Sequence, residues 1–440
     1  MDLDTLKQIS QDVLTLAKTA GASSAETEVS FGTGQNVSVR LGEVENIEYN
    51  RDKGVSVTVY FGQQKGHASS SDLSQSALKD TVEAACNIAK YTAKDPFCGL
   101  ADATLMATDM PDLGLYHPWN ISVDDAAALA KTCEAAALNV DTKRITNSEG
   151  AGVSNSESVF AYANSHGFVG CYKSSRHSIS CSVIAEHKGA MQRDYWYSSA
   201  RDVRDMESAE YIGNLAGQRT VSRLGAKPIK TGQYPVLFEA PLASGLISSL
   251  IGAISGSNLY RKSSFLLDSL GKQVASPLLN IEELPHLKKG VASSCFDSEG
   301  VATKARKLVG NGVLNGYVLG SYSARKLGMQ STGNAGGSHN LIVASTGENF
   351  EQLLKKMGTG LLVTEVLGHG LNMVTGDYSR GAAGYWVQNG VIAHPVEEIT
   401  IAGNMKNMLQ HIVAIGTDAI KHSSKQTGSI LIENMMVAAG

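Results

Sequence analysis

The chain has 440 residues, 42% hydrophobic and 18% charged, and its formal net charge is −4 with no basic run. That length exceeds one hydrophobic core and calls for two or three domains, and the charge balance argues against direct nucleic-acid binding, which needs clustered lysine and arginine. Forty-five glycines against nine prolines indicate many tight turns between short strands in an ordered chain.

The opening MDLDTLKQIS is acidic and amphipathic, unlike the basic start and apolar core of a signal peptide, so a cytoplasmic location is expected. Leu3, Leu6, Ile9, Val13, Leu16 and Ala20 recur at helical spacing and predict a helix over 3–20 that Gly21 stops. Short β-branched runs then alternate with turn signals at Gly32–Gly34, Gly42, Lys53–Gly54 and Gly62, which predicts an antiparallel meander. A helix over 74–90, with Leu78, Val82, Ala85 and Ala89 on one face, completes an N-terminal α+β domain at 1–112.

A middle α+β domain is expected at 113–228. It opens with an alanine-rich helix in which Ser122 and Asp125 form a capping-box variant. Three longer strands follow, with turns at His166–Gly167 and Lys188–Gly189, and then a helix over 207–224 that ends at Gly225. Residues 226–235 read as a linker, and 229–440 as a larger β-rich domain. Within it, the uncharged, serine- and glycine-rich stretch 240–260 predicts a buried helix and not a membrane span. Phe350, Leu353, Leu354 and Met357 predict a short helix with Gly358 at its C-terminal cap. The fold class is therefore α+β and multi-domain, with antiparallel and mixed sheets flanked by helices. Six cysteines without a CxxC or framework spacing read as free thiols.

One stretch, VTEVLGHGLN at 363–372, looks like a zinc-peptidase motif that lacks its first histidine. Its β-branched residues and flanking glycines favour a strand. On a strand, Glu365 and His369 would stand about 13 Å apart at ~3.3 Å per residue, too far for one ion. Even on a helix they supply two ligands where a catalytic zinc needs three and a water. No GxGxxG opens a helix after a strand, and there is no Walker motif or GxSxG elbow. Asp377, Tyr378, Ser379 and Arg380 place charge and an aromatic beside glycines, as a turn facing a cleft or partner would; an Arg–Asp pair that fixes the turn is the alternative. His339 is a second candidate for a cleft. Asp297 and Glu299 alternate on an extended segment, which suggests a solvated edge or a contact to Arg306.

Several stretches together carry a resemblance that runs nearly end to end: GDYSRGAAGYWVQNG (376–390), PVEEITIAGN (395–404), YRKSSFLLDSLGKQ (260–273), FDSEGVATKARKLVGNGVL (296–314) and SYSARKLGMQSTGNAGG (321–337), with KRITNSEG and ANSHGF earlier. The chain resembles the PmbA/TldD family, whose older label is modulator of DNA gyrase. The resemblance implies two kinds of chain that pair as a heteromeric cytoplasmic metallopeptidase acting on unfolded peptides and peptide precursors. The TldD kind carries HExxxH on a helix and a cysteine ligand near its C-terminus; the TldE kind lacks them. By this resemblance, Ser248, Ser249 and Ala253 occupy the motif's positions here, and no cysteine follows Cys295. The implied chain is a TldE/PmbA-type subunit with no catalytic or metal-binding residues of its own. Its zinc would sit in a TldD-type partner, and Asp377, Tyr378, Arg380 and His339 are its candidate peptide- or partner-binding residues. Isolated, it could self-associate as a homodimer; neither nucleic acid nor membrane is an expected partner. Two alternatives stand beside this: an autonomous metal-dependent peptidase using Glu365 and His369, and a homo-oligomeric scaffold or regulator.

Overall fold

The computed structural model describes residues 1–439. Asp2 starts the first helix, its carboxylate accepting the Thr5 amide at 2.8 Å. Helix α1 (Leu3–Thr19) buries Leu6, Ser10, Val13 and Ala17. Strands β1 (Ser24–Arg40), β2 (Glu43–Phe61) and β3 (Gln64–Ser70) follow, then α2 (Gln75–Tyr91). The chain reverses at Gly42 and Gly62, whose φ angles are 81° and 61°. Gly32–Gly34 and Lys53–Gly54, expected as turns, instead lie inside β1 and β2 and face each other, Phe31 opposite Lys53 and Gly32 opposite Asp52. Glycine here marks close approach of backbone: a Cβ on Gly34 would stand 3.3 Å from the Asn155 carbonyl of the neighbouring strand.

Helix α3 (Val123–Asn139) is capped by Ser122, which accepts the Asp125 amide at 3.1 Å. Strands β4 (Ile145–Asn164), β5 (Val169–His187) and β6 (Ala190–Ala200) and helix α4 (Ala209–Ser222) complete this half. The six strands form one sheet in the order β3-β2-β1-β4-β5-β6. β1 pairs antiparallel with β4 from Glu26–Asn164 to Val39–Ala151, so the first and second units share a continuous sheet. Glu134 of α3 adds a tie, accepting the Leu41 and Gly42 amides at 2.9 and 2.8 Å. Val29 and Val37 lie an even number of residues apart on β1 and face the same way. Val29 packs with Leu6 and Leu78 beneath α1 and α2, and Val37 with Ala130 and Ile212 beneath α3 and α4. All four helices thus cover one face. The other face carries Tyr162, which packs with Phe168 and Phe296.

Beyond β7 (Gly232–Phe238), α5 (Ala240–Ala253) and α6 (Gly256–Tyr260) come β8 (Ile281–Glu283), β9 (Arg306–Gly310), β10 (Val313–Leu314) and α7 (Ser321–Lys326). Next are β11 (Leu341–Val343), α8 (Phe350–Met357), β12 (Gly360–Leu367), β13 (Asp377–Gln388) and β14 (Val391–Asn404). The chain finishes with α9 (Met405–Gln410), β15 (Ile412–Ile415), β16 (Lys425–Gln426) and β17 (Ile430–Ala439). Two sheets result, β10-β9-β8-β11-β16 and β14-β13-β12-β7-β17-β15, and β14 also pairs with β17, so the second curls back on itself. Parallel pairs β7–β12 and β11–β16 among antiparallel ones make both sheets mixed. The architecture is α+β with a strand-rich C-terminal region, as the sequence pattern predicts. α8 carries a full capping box between Asn349 and Gln352 and ends at Gly358, φ 69°. No helix among the described residues is long and apolar enough to cross a membrane.

Candidate functional site

The site is built where β7 runs into α5. Glu239, at the helix start, makes no side-chain cap because its carboxylate is taken by Arg219 of α4 at 2.7 and 3.2 Å. Pro241 sets the first turn of α5, where a missing amide proton costs nothing. The helix sinks Ala243, Leu246, Ile247 and Leu250 into the core and turns Leu242, Gly245, Ser248 and Ser249 outward. Ser248 and Ser249 donate back to the Ser244 and Gly245 carbonyls at 2.8 and 2.9 Å. Their oxygen lone pairs remain open to the space above.

Two cavities share Leu242 and Val366 as a common ridge. The first, about 370 Å³, lies between β6 and α4 on one side and α5 and β12 on the other. Its floor is an ion network. Arg219 reaches Asp194 at 3.4 Å and Glu239 at 2.7 Å, while Arg223 reaches Asp194 at 3.6 Å and also binds Glu365. Burial alone would weaken the Arg219 cation, but the Glu239 hydrogen bond and charge more than offset it and raise its pKa. Tyr195 and Tyr197 stand on the rim, 58% and 40% exposed, stacked at 6.5 Å, with His422 edge-on to Tyr197 at 5.0 Å. Burial, and secondarily the Arg176 charge, lowers the His422 pKa and favours the neutral ring.

The second cavity, about 350 Å³, is lined by Ser248, Ser249, Leu371, Met373, Tyr378 and Arg380, among others. Tyr378 and Arg380 thus reach the same space as the two serines, with the guanidinium 6.0 Å from the Tyr378 ring centre. Asp377 falls on the opposite face of β13. It is exposed, and hydrogen bonds from Thr375 and Asn404 at 2.7 and 3.1 Å hold its carboxyl below the usual range. His339 lines neither cavity. Its Nδ1 is 3.1 Å from Glu283, a carboxylate only 1% exposed that also accepts from Arg306 and Asn334, both at 2.7 Å. Asp297, expected on a solvated edge, is buried in a turn; its oxygens accept the Glu299, Val301 and Ala335 amides, and Arg306 turns to Glu283 instead.

Zinc does not fit these residues. Ser248 and Ser249 face the cavity but supply no carboxylate or imidazole, and Ala253 is fully buried in the core. Among the described residues no group of three or more His, Cys, Asp or Glu side chains could hold a metal ion. Glu365 is committed to Arg223, and His369 lies exposed beyond the end of β12. The ion network of the first cavity was not anticipated from sequence. Its only trace there is Arg219 and Arg223, four apart on one helix face; their acids come from three separate elements.

Residues 25–89, 116–224 and 231–439 match the family profiles described as PmbA/TldA metallopeptidase domain 1, central domain and C-terminal domain. The chain belongs to the PmbA/TldD family. It is 52% identical over 414 residues to the Metalloprotease PmbA of Escherichia coli O157:H7, covering 94% of this chain and 92% of that protein. A crystal structure from Bacteroides thetaiotaomicron, labelled a modulator of DNA gyrase, superposes with a TM-score of 0.95 at 30% identity over 100% of both chains. TldE from Thermococcus kodakarensis shares the fold, with a TM-score of 0.84 at 20% identity over 98% of this chain and 100% of that one.

Proposed function

We propose that this chain is the non-catalytic, TldE/PmbA-type subunit of a heteromeric cytoplasmic zinc metallopeptidase. It would pair with a TldD-type subunit that carries the zinc and would help to hold unfolded peptides or peptide precursors for cleavage. The observation that supports this reading is α5, which presents Ser248 and Ser249 to a cavity and Ala253 to the core; by the resemblance these are the positions of the family's HExxxH. None of the three can ligate zinc or act as a carboxylate base. The double cavity beside α5 supports the peptide-holding role, because its exposed tyrosines and edge strand β6 offer stacking surface and main-chain partners to an extended chain.

The test is zinc content and peptide hydrolysis of the purified chain, alone and mixed with a TldD-type subunit. Zinc well below one equivalent, no hydrolysis alone, and hydrolysis of an unfolded peptide in the mixture beyond that of the partner alone is the expected result. One tightly held zinc with chelator-sensitive activity of the chain alone would establish an autonomous peptidase instead. A mixture no more active than the partner alone would leave the scaffold reading.

A further inference from the structure

The second cavity has a single charge. Among its lining residues only Arg380 is ionised; no acid is present, and Phe238, Leu242, Leu246, Val366, Leu371 and Met373 make the walls apolar. Arg380 Nε is buried without a hydrogen-bond partner. An Nε in that state is costly, because it has lost water without a hydrogen bond in return; the guanidinium's neighbour is the Tyr378 ring, 6.0 Å away, which offers no counter-charge. The position is nonetheless enforced. Gly370 lies under the arginine stem, and a Cβ there would meet Arg380 Cγ at 2.6 Å and the Ser379 carbonyl at 1.7 Å. Across the cavity, Gly245 leaves open space, with nothing within 4 Å of where a Cβ would stand. Ser248 and Ser249 add hydroxyl oxygens whose protons are already used by α5 itself, so they face the cavity as acceptors.

A fixed cation, apolar walls and two acceptors describe a particular ligand. It bears one carboxylate, an apolar body and N–H donors. We propose that this cavity binds the C-terminal end of a peptide, its α-carboxylate on Arg380, its last side chain against Leu371 and Met373, and a main-chain N–H donating to Ser248 or Ser249. A planar carboxylate satisfies the guanidinium in the bidentate way that no group of the chain itself does. The assignment rests on the peptide-holding role proposed above and is independent of where the zinc sits.

Calorimetric titration of the purified chain with three probes tests it: acetyl-Ala-Ala-Leu as the free acid, the same peptide as its C-terminal amide, and acetyl-Ala-Glu-Leu amide. The free acid is expected to bind about tenfold or more tightly than the amide, the typical worth of a charge-assisted pair. Arg380→Met keeps the apolar stem and should erase that difference. Gly245→Leu, on an outward helix face, should block the free acid by filling the cavity while the thermal midpoint holds. Equal binding of acid and amide by the native chain, or an acid preference that survives Arg380→Met, overturns the proposal. Tight binding of the glutamate-bearing amide would overturn the α-carboxylate assignment in favour of an acidic side chain. Any of these failures leaves the zinc measurement untouched, so the two readings fail separately.

Discussion

Glu283→Ala is expected to lower the thermal unfolding midpoint by roughly 10 °C, given a loss of about 3–5 kcal/mol from a broken buried ion pair in a domain of this size. Glu283 is 1% exposed and accepts from Arg306 Nε and Asn334 at 2.7 Å and from the His339 amide and ring at 2.8 and 3.1 Å. Without it, Arg306 keeps the Tyr317 carbonyl and the Asn334 amide oxygen at 2.8 and 2.9 Å but no counter-charge. Burial pushes the Glu283 carboxyl up, yet the His339 hydrogen bond and the Arg306 charge outweigh it and bring it down from 4.5 to about 2. A pKa lower in the folded than the unfolded chain stabilises above the unfolded value. That contribution, about 3 kcal/mol, is therefore full above pH 4.5 and disappears as pH falls through about 2. Asp297 acts in the opposite sense. Burial pushes it from 3.8 up to about 6, so its contribution is full below pH 3.8 and is lost as pH rises through 6. Urea unfolding at pH 3 and pH 7 separates them: the native chain should lose more on acidification than Glu283→Ala does. A variant as stable as the native chain at pH 7 would refute the buried-pair account.

Gly213→Ala should also destabilise, against the intrinsic preference of helices. Alanine is favoured over glycine in a helix interior by about 1 kcal/mol. Here α4 crosses α3 so closely that a Cβ on Gly213 would stand 2.0 Å from the Cys133 carbonyl and 2.9 Å from the Ala136 methyl. Neither obstacle is a flexible side-chain end, so the helices must part. Overpacking of this kind costs about 3 kcal/mol, leaving a net loss of about 2 kcal/mol and a midpoint roughly 5 °C lower. Because α4 carries Arg219 and ends at Arg223, its displacement also strains their pairs with Glu239 and Glu365 across the first cavity. Gly245→Ala is the control: it meets nothing and should hold or raise the midpoint. If both alanine variants are stabilised alike, close helix approach is not what keeps Gly213 a glycine.

Elements whose residues carry their own signal were legible in the sequence. α1, α2 and α8 show an apolar stripe, α1 and α8 also a glycine stop, and α3 a cap at Ser122, and these helices form where those signals lie. β12 reads as a strand from its β-branched run between glycines. Gly32–Gly34 shows where local reading fails: a glycine that turns the chain and one that lets a neighbouring strand pass look alike until the neighbour is known, and β4 is more than a hundred residues away. The same limit applies to the site. Tyr378 and Arg380 stand out as charge and aromatic beside glycines, but that they share a cavity with Ser248 depends on β13 pairing with β12, the strand that α5 packs against. His339 stands alone in sequence because its partner Glu283 comes from β8, more than fifty residues earlier.

The sheet shared by the first two units bears on how the chain is made. While β1 and β2 emerge from the ribosome, β1 has one edge paired and the other open, because its second neighbour, β4, begins only at Ile145. The core beneath α1 and α2 is unfinished at that stage, since Val159 and Ala161 of β4 belong to it. The N-terminal hairpin must therefore wait, edge exposed, until the middle segment is translated. Closing that edge and completing that core both need β4, so a segment ending before Ile145 leaves β1 unpaired on one side and its core without Val159 and Ala161.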